Sequence, residues 1–216
     1  VRAMDADETR KRGRNEVEED LHIQRLMPAD ALRIRGRHNA TNALAALALA
    51  TAAGCPLAPM LYGLREYRGE PHRVEPVGIL NGVEFFDDSK GTNVGATVAA
   101  LQGLGADRKV VVILGGEGKG QNFAPLSQPL AQYARAVVLI GKDADAIAEI
   151  LPQSIAAQSA ATMDEAVQLC AQQAKAGDTV LLSPACASLD MYRDYAHRAQ
   201  VFCAAVAQLA DEEASA

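Results

Sequence analysis

The chain has 216 residues, of which 49% are hydrophobic, with a formal net charge of −6 and four cysteines. This length allows one complete α/β domain and part of another, and no apolar run reaches the ~20 residues that a membrane-spanning helix needs. The acidic balance argues against a nucleic-acid surface, and the cysteine spacing indicates neither a zinc site nor a disulfide framework. We therefore expect a cytoplasmic monomer without nucleic-acid or membrane partners, whose cysteines are small buried hydrophobes.

The first 37 residues mix charges of both signs, which is typical of a solvated loop or an exposed helix face. Short alternating stretches at 21–23 and 31–34 predict two edge strands. Because Val1 is not a methionine and the opening residues have no pattern of their own, we expect a piece of a longer protein.

The alanine- and leucine-rich segment 37–50 predicts a helix, buried on most sides because it carries almost no charge, and Gly54 ends it. Asn39 and Asn42 lie in its first turn. Free backbone N–H groups and the helix dipole suit a phosphate or nucleotide there, while plain capping by Asn39 or Thr41 explains the same residues.

A second helix is predicted over 57–66, and the pattern breaks at 68–71, where we place a boundary between domains 1–69 and 70–216. Two apolar runs, 73–80 and 83–86, then flank Asn81-Gly82. Asn-Gly between such runs is the strongest short signal for a β-hairpin, because both central residues of a type I′ turn need positive φ.

The rest of the chain alternates strands and helices, which predicts an α/β fold with a Rossmann-like, mostly parallel sheet and flanking helices. The predicted strands are 109–114, 136–140 and 179–182. The predicted helices are 94–104 capped by Asn93, one from near 125, 144–151, 162–175 capped by Thr162, and 190–209, followed by a frayed tail.

Three polar loops follow strands of this predicted sheet. They contain Lys90 within DDSKGTN (87–93), Lys119 within GGEGKG (115–120), and Ser188 within SPACAS (183–188). Ligands of such sheets bind beyond the carboxyl ends of the strands, so we expect Asp88 and these three residues to share one rim. The glycine loop is not a Walker A loop, and Lys119 there either holds a carboxylate or phosphate or is simply solvated.

Five segments come in a recognisable order: HNATNALAALALA, EPHRVE, NGVEFFDDSKGTNVGAT, ILGGEGKGQNF and DTVLLSPACASLDMYRDY. Together they resemble the Mur ligase family of peptidoglycan synthesis. DSKGTN with LSPACAS is the specific part, and HNxxN is shared with folylpolyglutamate ligases. The resemblance implies ATP-dependent ligation of D-glutamate to UDP-N-acetylmuramoyl-L-alanine through an acyl phosphate. The alternatives are another Mur or folylpolyglutamate-type amide ligase, or a non-catalytic binding domain with this fold.

The resemblance also implies roles for single residues. Lys90 and Arg73 would act at the reacting centre and on the phosphates. The residues implied to bind the nucleotide are Asn39 and Asn42, near the adenine, Asp88, on the ribose, and the pair His72 and Arg73. The residues implied to form the D-glutamate pocket are Thr92, Lys119, Ser188, Leu189 and Tyr195.

ATP and Mg²⁺ are the implied small molecules besides the two joined substrates. The family's phosphate-binding loop, modified lysine and magnesium ligands are expected upstream of Val1, so we expect the chain alone to be inactive. Residues 1–69 would then end the central ATP-binding domain, and residues 70–216 would form the C-terminal domain.

Overall fold

The computed structural model of the chain describes residues 23–106 and 109–215. These residues divide into two compact units, one formed by 23–34 and 39–68 and the other by 35–38 and 69–215. The charged stretch up to residue 22, with most of the predicted strand at 21–23, lies outside the described residues. The predicted domain roles stay predictions.

The smaller unit is helical. A 3₁₀ turn at Ala29–Ala31 precedes α1 (Arg37–Ala52), all but the first two residues of which belong to this unit, and α2 (Leu57–Glu66) follows with its predicted bounds. The predicted edge strand at 31–34 is wrong, because this segment turns and bends instead of pairing.

Two expectations for α1 are also wrong. The helix begins at Arg37, so neither Asn39 nor Thr41 is its N-cap. It is not buried on most sides, since only Ala43 and Leu47 are buried and Leu49 is 74% exposed. The lack of charged residues shows that a helix contains few polar groups, but the burial of a helix depends on how many neighbouring segments pack against it.

The larger unit is built on a six-stranded sheet in the order β1-β2-β6-β3-β4-β5. Its strands are β1 (Glu75–Leu80), β2 (Val83–Asp87), β3 (Val110–Gly115), β4 (Ala134–Ile140), β5 (Ala156–Ser159) and β6 (Thr179–Leu182). Only β1 is antiparallel, and the Asn81-Gly82 turn joins it to β2 with φ values of 49° and 77°. The predicted hairpin and mostly parallel sheet are confirmed.

Helices cover both faces of this sheet. They are α3 (Val94–Leu104), α4 (Ser127–Tyr133, after a 3₁₀ turn at Ala124–Leu126), α5 (Ala144–Ala148), α6 (Met163–Gln173) and α7 (Tyr195–Ala214). One core layer packs α3, α4 and α5 on one face, and a second layer packs α6 and α7 on the other. Strand β3 (VVVILG) is buried throughout because both of its faces are covered.

A side-chain cap begins three of these helices, α3, α6 and α7. Asn93 Oδ1 accepts from Ala96 N (3.0 Å), and Thr162 Oγ1 accepts from Glu165 N (3.2 Å), so both predicted caps are confirmed. The last helix differs from its prediction: Asp194 caps it, so it begins at Tyr195 instead of near 190, and it continues to Ala214 through the tail expected to fray.

Candidate functional site

The loops after β2, β6 and β3 meet at one edge of the sheet, because these strands are parallel and adjacent. Residues 88–93, 183–194 and 116–123 of these loops are called the polar rim below. The rim is tied together by backbone hydrogen bonds: Glu117 and Ala187 exchange two of 2.9 Å, and Asp88 N donates to Leu182 O (2.8 Å). The predicted convergence of the three polar loops is therefore confirmed.

Two features let the glycine loop of the rim lie close to its neighbours. Gly115 has a φ of +124°, and a Cβ there would lie 1.9 Å from Ile140 O, so only glycine fits. Gln121 then links three segments, donating from Nε2 to Ala185 O (2.7 Å) and accepting at Oε1 from Val94 N (3.0 Å). Sequence reasoning missed Gln121, since a lone glutamine in a loop carries no local signal.

Asp88 is the most strongly perturbed carboxylate of the rim. It is only 7% exposed, and it accepts from Ser183 Oγ (2.7 Å) and from Val74 N (3.3 Å). Ser183 also contacts Thr97 Oγ1 (3.1 Å), whose hydroxyl reaches Ser183 O. Burial raises the pKa of Asp88 to about 6, although the Ser183 and Val74 hydrogen bonds pull it down. Among residues 23–106 and 109–215, Asp88 thus has no cation at hydrogen-bonding distance, although the charge of Arg73 also lowers its pKa, and it remains ionised at neutral pH.

Arg198 of α7 connects two loops of the rim from beneath. Its side chain is fully buried, and its guanidinium donates to Ser89 O (2.8 Å) and Cys186 O (3.1 Å). Burial lowers its pKa to about 10, so it stays charged at neutral pH. Arg198 therefore holds the loop carrying Lys90 against the loop carrying Ser188. It was not predicted, because its partners are backbone carbonyls distant in sequence.

His72 and Tyr195 lie beside Lys90. The His72 Nδ1 atom is 2.7 Å from Asp87 Oδ2, and its ring meets the Tyr195 ring edge-on at 5.8 Å. Lys90 Nζ lies 3.5 Å from Tyr195 OH and 5.1 Å from the centre of its ring. Tyr195 thus contacts residues predicted for the nucleotide and the reacting centre, in addition to its predicted place in the amino-acid pocket.

The remaining pocket residues lie on the same rim with different exposure. Lys119 is exposed on a backbone with φ of 53°, Leu189 is 61% exposed, Thr92 is half-buried, and Ser188 is only 3% exposed. The Lys119 loop is anchored by the turn between β4 and α5, where Asp143 Oδ2 accepts from Gly118 N (2.6 Å). The roles predicted for these residues stay predictions.

Asn39 and Asn42 belong to the smaller unit. There, Asn42 Nδ2 lies 3.4 Å from Asn39 Oδ1, so the two amides are neighbours within the first turns of α1. The adenine contact predicted for them stays a prediction.

The expected burial of the cysteines is only partly correct. Cys170 and Cys186 are buried and Cys203 is half-buried, but Cys55 is exposed beyond the end of α1. All four are free thiols. Within the described part of the chain, no helix is long and apolar enough to cross a membrane.

Comparisons with known proteins agree with this geometry. The family described as "Mur ligase, glutamate ligase domain" matches residues 72–186. A UDP-N-acetylmuramoylalanine--D-glutamate ligase of Polaromonas sp. is 70% identical over 99% of this chain and 36% of its own length. The protein of the same name from Albidiferax ferrireducens is 67% identical over 100% of this chain and 43% of its own length. The chain thus spans less than half the length of these curated relatives.

Solved structures show the same fold at low identity. The UDP-N-acetylmuramate-alanine ligase of Thermotoga maritima has a TM-score of 0.60 and 24% identity, covering 86% of this chain and 40% of its own. Folylpolyglutamate synthase of Mycobacterium tuberculosis, complexed with ADP, has a TM-score of 0.60 and 18% identity, covering 79% and 41%. Because the family match spans more than half of the 216 residues, the chain belongs to the Mur ligase family and carries its glutamate ligase domain.

Proposed function

We propose that the protein to which this chain belongs joins D-glutamate to UDP-N-acetylmuramoyl-L-alanine with cleavage of ATP. The observation that carries this proposal is the 70% identity, over 99% of the chain, to a protein named for that reaction. The chain covers only 36% of that relative, so the reaction is assigned to the longer protein and the chain supplies part of its site.

The reaction would run in two steps. A carboxylate oxygen of UDP-N-acetylmuramoyl-L-alanine takes the γ-phosphoryl group of ATP and releases ADP, which turns a poor electrophile into an acyl phosphate. The amine of D-glutamate then attacks the carbonyl carbon, the bond to phosphate breaks, and the amine loses a proton. Both steps move negative charge onto phosphate oxygens, so fixed cations would lower their barriers.

For the nucleotide we propose that Asp88 accepts from the ribose hydroxyls, that Arg73 pairs with the phosphates, and that Lys90 stabilises the transferring group. The ionised carboxylate of Asp88 supports its part of this assignment, because its described hydrogen bonds come from Ser183 and Val74 and it keeps acceptor capacity for a hydroxyl. The exposed ammonium of Lys90 supports the role proposed for Lys90. Asn39, Asn42 and His72 keep their predicted nucleotide roles on the resemblance alone.

For the incoming amino acid we propose a pocket made by Thr92, Lys119, Ser188, Leu189 and Tyr195. D-Glutamate carries two carboxylates, so the pocket needs at least one cation and several donors. Lys119 is exposed between two glycines and can supply the cation. Tyr195 borders Lys90 as well as this pocket, which would bring the amine close to the activated carbonyl.

Mg²⁺ does not fit the polar rim by itself. The ion needs an octahedral set of open oxygen ligands. Asp88 instead accepts from Ser183 and Val74, and the carboxylate next to it in the chain, Asp87, accepts from Ser89 N and lies against His72. We therefore expect the magnesium ligands elsewhere in the longer protein.

The test is phosphate release by the longer protein with ATP and UDP-N-acetylmuramoyl-L-alanine. We expect release with D-glutamate and none with L-glutamate, lysine or diaminopimelate. Lys119→Met should raise the KM for D-glutamate at least about tenfold, whereas Lys175→Met, an exposed lysine beyond the opposite end of the sheet, should leave it unchanged. Release that depends on another amino acid would contradict the proposal.

This chain alone should release no phosphate, because its 216 residues contain no Gly-x-x-x-x-Gly-Lys-Ser/Thr loop. Calorimetric titration of the chain with D-glutamate, L-glutamate and an ATP analogue would show which of these ligands the chain binds on its own. Full ligase activity of the isolated chain would contradict this part of the proposal.

A further inference from the structure

Two carboxylates face each other across the β1–β2 hairpin. Glu75 is the direct cross-strand partner of Asp87 in the antiparallel register. Like charges at directly opposed positions destabilise a hairpin unless a cation lies between them. Asp87 is only 1% exposed, so it cannot relieve this repulsion by turning into solvent.

His72 occupies the position where that cation would be needed. Its Nδ1 atom lies 2.7 Å from Asp87 Oδ2 and 4.0 Å from Glu75 Oε2, while its backbone N–H donates to Glu75 Oε2 (2.9 Å). The segment reaches this geometry with a left-handed backbone at His72 (φ 63°) and at Val74 (φ 50°). A β-branched residue rarely adopts that conformation, so the surrounding contacts must hold it there.

The Asp87 carboxylate is oriented toward this cluster. Its Oδ1 atom accepts from Ser89 N (2.8 Å), which leaves Oδ2 directed at the imidazole. Successive residues of a strand point to opposite faces, as Phe85 and Phe86 do by packing into the two separate core layers. Asp87 therefore points away from the side of Asp88, and the cluster is distinct from the carboxylate proposed for the ribose.

We propose that His72, Glu75 and Asp87 form a binding site for one divalent transition-metal ion, Zn²⁺ or an ion of similar preference. One donor atom from each residue lies within 4.8 Å of the others. A mixed set of imidazole nitrogen and carboxylate oxygens favours such an ion over Mg²⁺, which prefers oxygen alone. The ion takes the place of the contact between His72 Nδ1 and Asp87 Oδ2, the imidazole binds it through Nδ1 in the neutral form that carries its proton on Nε2, and the exposed Glu75 side chain moves inward to complete the set with water.

Neighbouring charges set a limit on the affinity. Arg198 lies within electrostatic reach of Asp87, so part of the negative charge of the cluster is already balanced. The Cys203 thiol is not expected to be a ligand, because, among the described residues, the donor atoms that lie within 4.8 Å of one another are those of His72, Glu75 and Asp87 alone. We expect binding weaker than in a structural zinc site with thiolate ligands.

The test is calorimetric titration of this chain with Zn²⁺ under reducing conditions and without nucleotide. We expect one saturable site, together with a rise in the melting temperature, and no saturable heat with Mg²⁺. Glu75→Gln, His72→Gln and Asp87→Asn should each weaken this binding at least about tenfold. Because no nucleotide or amino acid is present, the result is independent of the proposed ligase function.

Two matched controls decide the assignment. Glu149→Gln changes an exposed glutamate next to α5 and should leave the affinity for Zn²⁺ unchanged. Cys203→Ala should also leave it unchanged. If the buried substitution Asp87→Asn unfolds the chain, the exposed Glu75→Gln substitution still gives the answer. Absence of saturable binding, equal affinity in the Glu75→Gln and Glu149→Gln variants, or loss of binding only in Cys203→Ala would overturn the proposal.

Discussion

A buried carboxylate lies at each end of the sheet, and the two carboxylates differ in their hydrogen-bond partners and in the direction of their pKa shifts. At the amino ends of the strands, Asp178 immediately precedes β6 and makes a bidentate pair with Arg135 of β4, including a 3.0 Å bond from Nη2 to Oδ1. Its other oxygen also accepts from Lys175 N (2.9 Å). Burial by itself would raise the pKa of Asp178, but the Arg135 hydrogen bonds outweigh it, and the pKa is lowered.

At the carboxyl ends, Asp88 immediately follows β2 and has hydroxyl and backbone N–H partners but no guanidinium. Its pKa is raised to about 6, chiefly by burial. The buried guanidinium of Arg198 donates to backbone carbonyls instead. Asp178, at one end of the sheet, is thus neutralised by an arginine of the chain, whereas Asp88, at the other end, is only partly neutralised.

This difference separates stability from ligand binding. Asp178 stabilises the fold because its ionised form is better solvated in the native state than in the unfolded chain. The ionised form of Asp88 lowers the stability of the fold at neutral pH, because it is less well solvated in the native state than in the unfolded chain. Groups with such shifted pKa values cluster at functional sites. Four substitutions test this difference between the two carboxylates.

The largest effect is expected for Arg198→Met. The substitution leaves the carbonyls of Ser89 and Cys186 buried without a donor, and two hydrogen bonds to a charged group are lost. We expect the free energy of unfolding to fall by about 4 kcal/mol, from ~2 kcal/mol for each bond. Urea denaturation of the chain measures the loss.

Arg193→Met is a suitable control, since Arg193 is exposed in the turn before α7. It should change the free energy of unfolding by less than about 0.5 kcal/mol. Equal effects of the two substitutions would show that the buried guanidinium does not hold the rim loops together.

Asp88→Asn should stabilise the chain, and by an amount that depends on pH. Because the folded pKa of about 6 exceeds the ordinary 3.8, the native carboxyl binds a proton between these values that the unfolded chain does not. The stabilisation by Asp88→Asn should therefore grow from near zero below pH ~4 to about 2 to 3 kcal/mol above pH ~6. Denaturation across this range measures it.

The same substitution should weaken binding of an ATP analogue by the longer protein, because a charged acceptor for the ribose hydroxyls is lost. Stability and binding would then change in opposite directions, as expected for a functional carboxylate. A stabilisation that is constant with pH, or unchanged nucleotide binding, would contradict this interpretation of Asp88.

Ser183→Ala should act chiefly on Asp88, and it also removes the contact between Ser183 Oγ and Thr97 Oγ1. The Ser183 hydroxyl donates to the carboxylate, which lowers its pKa, so its removal should raise the pKa of Asp88 further. We expect a loss of stability of about 1 kcal/mol at neutral pH. Carbon-13 NMR titration of the Asp88 carboxyl measures the shift, and a pKa that falls or stays constant would contradict the expected effect.

The smallest effect is expected for Arg135→Gln. Asp178 has a lowered pKa, so its contribution is present above the ordinary pKa and is lost as the pH falls through the folded value. We expect a loss of about 0.5 kcal/mol at pH 7 that disappears once the pH is low enough to protonate Asp178, below its ordinary pKa of 3.8. An equal loss at both pH values would assign the effect of Arg135 to packing.

Elements with strong local chemistry were predicted well. The Asn81-Gly82 hairpin, the caps Asn93 and Thr162, and strand β6 (Thr179–Leu182) agree with the structure. Strand β5 (Ala156–Ser159) was missed because all four of its residues are exposed and none carries an apolar pattern. Its pairing with β4 uses backbone groups alone, which every residue except proline supplies.

Residue type and spacing along short stretches are enough to specify the alternation of strands and helices, the position of the polar loops after strands β2, β3 and β6, and membership in the family. The folded chain is needed to bring Arg198 to the Ser89 and Cys186 carbonyls, His72 to Asp87, and Ser183 to Asp88. Hydrogen bonding and burial in a folded chain depend on which distant segments become neighbours, and no local pattern encodes them.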